Sequence, residues 1–297
     1  MRLTLVPTGY GDPKDRALSQ AGQRKRVPRT AEVVRASWLT PSMRRVVFTG
    51  PDLRCLQEMP YTDHYLKLLF APRGCHYRWP FDPDALRASE PAERWPVTRT
   101  YTVRSYHPLL NEMTLDFVVH GDEGLAGPWA ARAVPGDQIG FFGPGGGYAP
   151  DPSADHHLLV GDESALPAIA AALDRLGDQA RATVYLEVGG PGDELPLSAS
   201  ADVHVTWVHR QSRSYGEALA EVVCDAGVPA GDVQAFVHGN AEMIRRLRRY
   251  LFNEVNFNRQ RVSMSGYWRT GQTEDGWQAG KREFNAELES ADRVVAA

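Results

Sequence analysis

The chain has 297 residues, 42% of them hydrophobic and 24% charged, with a formal net charge of −4. These values describe an ordinary globular protein of about two domains and argue against a basic nucleic-acid-binding surface. No run nears the ~20 apolar residues of a membrane helix, and the first residues lack the apolar core of a signal peptide. Three cysteines, Cys55, Cys75 and Cys224, stand without CxxC spacing. They read as cytosolic thiols, exclude a four-cysteine iron–sulfur cluster and leave no metal site to predict.

Residues 1–28 are polar and read as a flexible arm. From Arg29 the stretches TAEVVRASWL, RRVVFTG, YLKLLF, RTYTVRSY, MTLDFVVH and DQIGFF are short and rich in Val, Thr and aromatic residues. With the short helical candidate LAGPWAARA they predict an antiparallel β-barrel over 29–143. The Pro-rich segment 80–96 reads as a loop or short helix. The Gly- and Pro-rich run at 144–155 has no periodicity and reads as a linker. Over 156–297, strands HHLLVG, ATVYLEVG, VHVTWVH, VQAFVHG and RVSMSGYW alternate with helical stretches and precede a C-terminal extension. That alternation predicts an α/β domain with a mostly parallel sheet.

Three segments can carry chemistry. On a strand, Arg99, Tyr101 and Val103 share a face, where an arginine fork suits a pyrophosphate and a tyrosine ring a planar cofactor. Thr102 adds a hydroxyl and a backbone donor. The bland alternative is an amphipathic strand with exposed arginines. Between His120 and Ala130 a strand end passes through Gly121, Gly124 and Gly127 into a helix with Pro128 in its first turn. Its free N–H groups suit a phosphate, or the glycines serve only the turn. From Leu158 to Ile169 a strand, a glycine turn and a helix start follow without a GxGxxG fingerprint. Glu187 ends the next strand and favours a free ribose 2′-hydroxyl, whereas Arg210 and Arg213 after the third strand suit a 2′-phosphate.

The RTYT strand, the Gly-rich turn and GDESALPAI occur in this order and are joined by SGYWRTGQTED at 265–275 and DHYLKLLF at 63–70. Together they make the chain resemble the siderophore-interacting protein family, FAD-dependent ferric-siderophore reductases of the ferredoxin-reductase-like superfamily, over roughly residues 29–285. The resemblance implies a two-domain α+β flavoreductase with an FAD-binding barrel and an NAD(P)H-binding α/β domain. It implies that Arg99 binds the FAD diphosphate and that Tyr101, Thr102 and Val103 line the isoalloxazine. Val118, Val119 and His120 would run along the ribityl chain, with Gly124, Leu125, Ala126, Gly127 and Trp129 cradling the phosphates. His64 would sit near the flavin, and Gly161, Asp162, Glu163 and Ser164 would face NADH or NADPH. Ser164 stands where the family usually has threonine.

Strand parity puts His64 and Lys67 on opposite faces unless a bulge intervenes. Lys67, Arg245 and Arg249 are the candidates for contacting an anionic ferric siderophore, although Arg245, Arg246, Arg248 and Arg249 also read as a solvated helix face over buried Met243, Leu247 and Leu251. His64 by itself also reads as an ordinary barrel histidine. The adjacent His156 and His157 point to opposite sides and do not suggest a metal. Trp268 is the aromatic expected to cover the flavin or the nucleotide, against the alternative that it and Tyr267 are both core. The implied protein is a cytoplasmic monomer that reduces ferric siderophores and releases Fe²⁺, with the FAD carrying the chemistry and no catalytic side chain. The alternatives are a general NAD(P)H:flavin or oxygenase-component reductase, and a flavin-bearing siderophore-binding protein with another electron donor.

Overall fold

A computed structural model describes residues 27–199 and 202–295. The arm expected over 1–28 lies, up to residue 26, outside the described residues. Six strands follow: β1 (Arg29–Thr40), β2 (Met43–Thr49), β3 (Tyr65–Phe70), β4 (Val97–His107), β5 (Glu112–Val118) and β6 (Gln138–Gly145). They close into an antiparallel barrel in the order β1-β2-β5-β4-β3-β6. Phe48, Leu66, Leu68, Leu115, Phe117 and Phe141 fill the interior of the closed barrel with no exposed surface. Between β3 and β4, Asp82 caps a short helix, α1 (Pro83–Ser89), by accepting from the N–H groups of Asp84 and Ala85. Helix α2 (Ala126–Arg132) sets Trp129 about 6 Å from the rings of Phe48, Phe70 and Phe117.

The second half forms a parallel sheet from β7 (His156–Asp162), β8 (Arg181–Val188), β9 (Asp202–His209), β10 (Val233–Asn240) and β11 (Val262–Trp268). Its order is β11-β10-β7-β8-β9. Helices α3 (Leu166–Leu173), α4 (Glu217–Ala226) and α5 (Ala241–Arg249) provide the crossovers that leave β7, β9 and β10. With both faces covered, the central strands are almost wholly apolar, as in Leu158, Leu159 and Val160 of β7. No helix among the described residues is long and apolar enough to cross a membrane.

The stretch expected as a linker is bound to both domains. β6 runs on to Gly145. Beyond it the Gly147 and Tyr148 N–H groups donate to Asp63 Oδ1 at 2.7 and 2.8 Å, and the Thr62 N–H donates to the Tyr148 carbonyl. Gln234 of β10 accepts from the Asp151 N–H and donates to the Ala149 carbonyl. Glycine is needed here because rings lie on the backbone. A Cβ on Gly145 would sit 2.5 Å from the Tyr65 ring, and one on Gly146 would sit 2.7 Å from His64. Arg104 of β4 pairs with Asp174 just past α3, and Ser42 donates to Asp193 of the second domain.

The C-terminal extension is a 22-residue helix, α6 (Glu274–Val295). Trp277, Phe284 and Leu288 lie on one face and are buried against the sheet domain. Its carboxylates account for the basic run on α5. Arg245 pairs with Glu287 at 3.1 Å and Arg248 with Asp292 at 2.8 Å. Arg249 pairs with Glu254. Arg245 and Arg249 stay 48% and 79% exposed, in keeping with the solvated helix face that was the alternative to anion binding.

Trp277 is 1% exposed and packs so closely on Gly266 that a Cβ there would lie 2.8 Å from the indole. Trp277→Ala should lower unfolding free energy by about 3–5 kcal/mol, measured by urea denaturation. A loss below about 1 kcal/mol would mean that α6 adds little to the core of the sheet domain.

Candidate functional site

The strand order reverses between β7 and β10, so the ends of these strands form the crevice where open α/β sheets bind ligands. Asp162 occupies it. Its Oδ1 accepts the Ser164 N–H at 2.9 Å and the Ser164 hydroxyl at 2.5 Å. Its Oδ2 accepts the Asn240 N–H and the Trp268 indole N–H, each at 2.8 Å. Gly161 is required beside it, since a Cβ there would meet Ala165 at 2.6 Å. Asp162 and the Ser164 hydroxyl, both expected to face the nucleotide, thus shape the crevice from within.

Along the same edge Arg210 Nη1 lies 3.0 and 3.2 Å from the two oxygens of Glu163 and 3.5 Å from Glu187. The guanidinium lies 4.0 Å from the Tyr215 ring centre, and Tyr215 meets Trp268 edge to face. Glu187 is fully buried and accepts N–H groups from Gly216 and Leu219 at the start of α4. It therefore has no surface left for a ribose hydroxyl, which corrects the expectation from its place at the strand end. Burial, reinforced by Asp162, pushes the Glu163 carboxyl up to about 7 against the opposing pull of Arg210.

On the barrel side, Arg99 and Tyr101 face Leu68 and Leu66 across β3 and so share a face. The Tyr101 ring lies 4.3 Å from that of Phe117, tilted by 35°, and burial raises its hydroxyl pKa. β4 pairs with β5 only from Val103 onward, which leaves its first half with an open edge. The first turn of α6 meets this edge. Glu274 accepts the Thr100 N–H at 2.8 Å, and Asp275 takes both Arg99 Nη atoms at 3.1 and 3.0 Å. Alternation along the strand turns the Thr102 N–H to the same side as that of Thr100. Thr102 and Val103 are buried.

His64 is spent on the fold. Its Nε2 accepts the Tyr61 N–H at 3.2 Å, which assigns the proton to Nδ1 for the Gly145 carbonyl at 3.0 Å. The β3–β6 register shifts between Tyr65 and Lys67, but a step of two residues on β3 matches a step of three on β6, so the extra residue lies on β6 and the parity that separates His64 from Lys67 stands. Val118 ends β5, Val119 donates its N–H to the Ser42 carbonyl, and His120 is exposed. In the turn that follows, Gly124 has a φ of 75°. Gly127 lets α2 approach β5, because a Cβ there would lie 3.2 Å from the Val118 carbonyl. Leu125 and Trp129 are half-buried and Ala126 buried, so Trp129 serves the barrel core.

A bulge decides the aromatic pair. Gly266 pairs with Gly239 and Trp268 with Asn240, which leaves Tyr267 as the extra residue. Burial raises the Tyr267 pKa well above its usual value, with Asp63 and Tyr65 of the barrel and Asp162 of the sheet adding to it. Tyr267 thus faces the barrel, whereas Trp268 is tied to Asp162 and Tyr215. Sequence reasoning missed Tyr267, Asp63 and the first turn of α6; the adjacent aromatics and the Glu274-Asp275 pair were the available signals.

Residues 32–148 match the model of the siderophore-interacting FAD-binding domain, and residues 154–271 match that of siderophore-interacting protein. The chain belongs to the siderophore-interacting protein family. It is 34% identical over 266 residues to the ferric vibriobactin reductase ViuB of Vibrio cholerae, covering 84% of this chain and 92% of that one. An NADPH-dependent ferric-chelate reductase of Escherichia coli is 26% identical over 247 residues, covering 81% and 92%. The crystal structure of a siderophore utilization protein from T. fusca superposes with a TM-score of 0.72 at 34% identity, covering 84% of this chain and 95% of that one.

The barrel fits an FAD in kind. An arginine fork and a row of strand N–H groups lie at an open edge beside a tyrosine ring, and the carboxylates now on Arg99 show that the place accepts anionic oxygens. Arg99→Ala should weaken FAD binding roughly 10–100-fold in equilibrium titrations. Replacing Glu274 and Asp275 together by Gln and Asn should tighten FAD binding, up to roughly tenfold, by freeing Arg99. A fall in affinity in that variant would make the first turn of α6 part of the FAD site.

The raised Glu163 carboxyl has a measurable consequence. An unfolded glutamate titrates near ~4.3. The stability due to Glu163 is therefore complete below that pH and lost as pH rises through about 7. The melting temperature of Glu163→Gln should fall less than that of the parent between about pH 5 and about pH 8. Parallel curves would place the Glu163 pKa at its ordinary value.

Proposed function

We propose that the protein reduces ferric siderophores with electrons from NAD(P)H, in the balance NAD(P)H + 2 Fe³⁺ → NAD(P)⁺ + H⁺ + 2 Fe²⁺. The observation that carries this reading is that one chain joins the family's FAD-binding barrel to a parallel sheet whose switch-point crevice is built by Asp162. The names of the Vibrio and Escherichia relatives, both ferric reductases, support it. Bound FAD supplies the exchange between a two-electron donor and a one-electron acceptor.

The chain's own residues supply binding and exclusion of water. Arg99 and the open edge of β4 hold the anionic diphosphate, and Tyr101 and Thr102 border the flavin ring. Asp63 and His64 hold the glycine strap at 145–148 against β3, which keeps the wall of the cleft rigid. Tyr267 closes the cleft from the sheet side. Lys67, opposite Thr100 on β3, offers a cation to an anionic siderophore. Release follows from the change of charge on iron, because hard oxygen donors hold Fe³⁺ far more tightly than Fe²⁺. No proton moves to or from a carbon atom of the siderophore, so no general acid is required.

The test is anaerobic. FAD-loaded protein is mixed with NADH or NADPH, then with a ferric siderophore and a chromogenic Fe²⁺ chelator. Bleaching of the flavin band, its return on adding the siderophore and growth of the Fe²⁺ colour are expected in that order. A flavin that bleaches with the nucleotide but forms no Fe²⁺ would leave only a general flavin reductase. A flavin that bleaches with neither nucleotide, while the chemically reduced protein still forms Fe²⁺, would require another donor.

A further inference from the structure

The edge from β7 to β9 is unusual in its charge. Asp162, Glu163, Glu187, Asp193 and Glu194 gather there. The basic side chains described at this edge are each engaged by a carboxylate. Arg210 is held by Glu163 and Glu187, His209 by Glu194 at 2.7 Å, and Arg213 by Glu217 and Glu221. Arg210 is also fixed face-on to Tyr215. An arginine held in this way is a poor partner for a further anion, because each new bond needs an existing carboxylate bond to break.

Of the two carboxylates on Arg210, only Glu163 has surface. Its side chain is 11% exposed and that of Glu187 is 0%. A ribose hydroxyl can donate to a carboxylate, whereas a 2′-phosphate brings roughly two negative charges and only acceptor oxygens.

We propose that Glu163 determines nucleotide choice: by holding Arg210 and presenting its own oxygens at the edge, it selects a dinucleotide with a free ribose 2′-hydroxyl, NADH, over one with a 2′-phosphate. This rests on the reading that a nicotinamide nucleotide lies along the carboxyl edge of the sheet, and it departs from the NADPH named for the Escherichia relative.

The test measures binding without turnover. FAD-loaded protein is titrated with NAD⁺ and with NADP⁺, followed by the flavin difference spectrum and by calorimetry. Adenosine 5′-monophosphate and its 2′-phosphorylated form serve as probes of the adenosine end. NAD⁺ should bind at least about tenfold more tightly than NADP⁺, and the two adenosine probes should differ in the same sense. In Glu163→Gln, which releases Arg210 from one carboxylate, NADP⁺ affinity should rise about tenfold and the ratio should approach one. Glu163→Asp, whose shorter carboxylate retreats from Arg210, should move the ratio in the same direction and serves if the Gln variant does not fold. Equal or tighter binding of NADP⁺ by the parent protein, or a ratio unchanged in the folded variant, would overturn the assignment while leaving the nucleotide site in place. Binding of neither dinucleotide would overturn the nucleotide site and the assignment together.

Discussion

The carboxylate of Asp162 is the constraint on which the site depends. It accepts four hydrogen bonds from three separate parts of the chain: the turn after β7, the end of β10 and the end of β11. A buried carboxylate is tolerated only when its lone pairs are satisfied, and these donors satisfy them. They also set the spacing of the crevice. Gly239 has a φ of 139°, and a Cβ there would lie 2.7 Å from Asp162. Glycine, aspartate and the two strand ends are therefore one unit, and Trp268 and Tyr215 are aligned through it.

A second theme is the pairing of arginines within the protein. On the barrel side Arg99 meets the first turn of α6, and on the sheet side Arg210 meets Glu163 and Glu187. Both guanidinium groups are mostly buried, where an unpaired charge is costly, so each has a carboxylate partner. The difference lies in the partner. Asp275 is more than half exposed and can yield to a diphosphate, whereas Glu163 and Glu187 are held by the fold. The same residue type is thus proposed as an anion site in one wall and is a charge-neutralised element in the other.

Helix α6 links these themes. Its apolar face is anchored by Trp277 and its carboxylates by Arg245 and Arg248, while its first turn reaches β4 of the barrel. Twelve residues separate Asp275 from Glu287, about 18 Å along a helix, so the α5 arginines act far from the barrel cleft and serve to hold the helix that enters it.

The order of barrel and α/β domain was legible in the sequence because the periodicities of strands and helices are local. The RTYT strand and the GDES turn were legible because glycine, proline and parity act within a few residues. The roles of the charged side chains were not. Arg99 meets Asp275 across 176 positions and Arg210 meets Glu163 across 47, and no local pattern reports such partners. Glu187 looked available for a ribose by its place at a strand end, but Gly216 and Leu219 of α4 claim it. A bulge at Tyr267 shifted the parity on which Trp268 was judged, and a bulge is set by the neighbouring strand. By itself the sequence determined the elements, their order and the family's motifs, since these follow from nearest-neighbour chemistry. Only the tertiary structure decided which charges are open to a ligand, because that depends on carboxylates brought from distant parts of the chain.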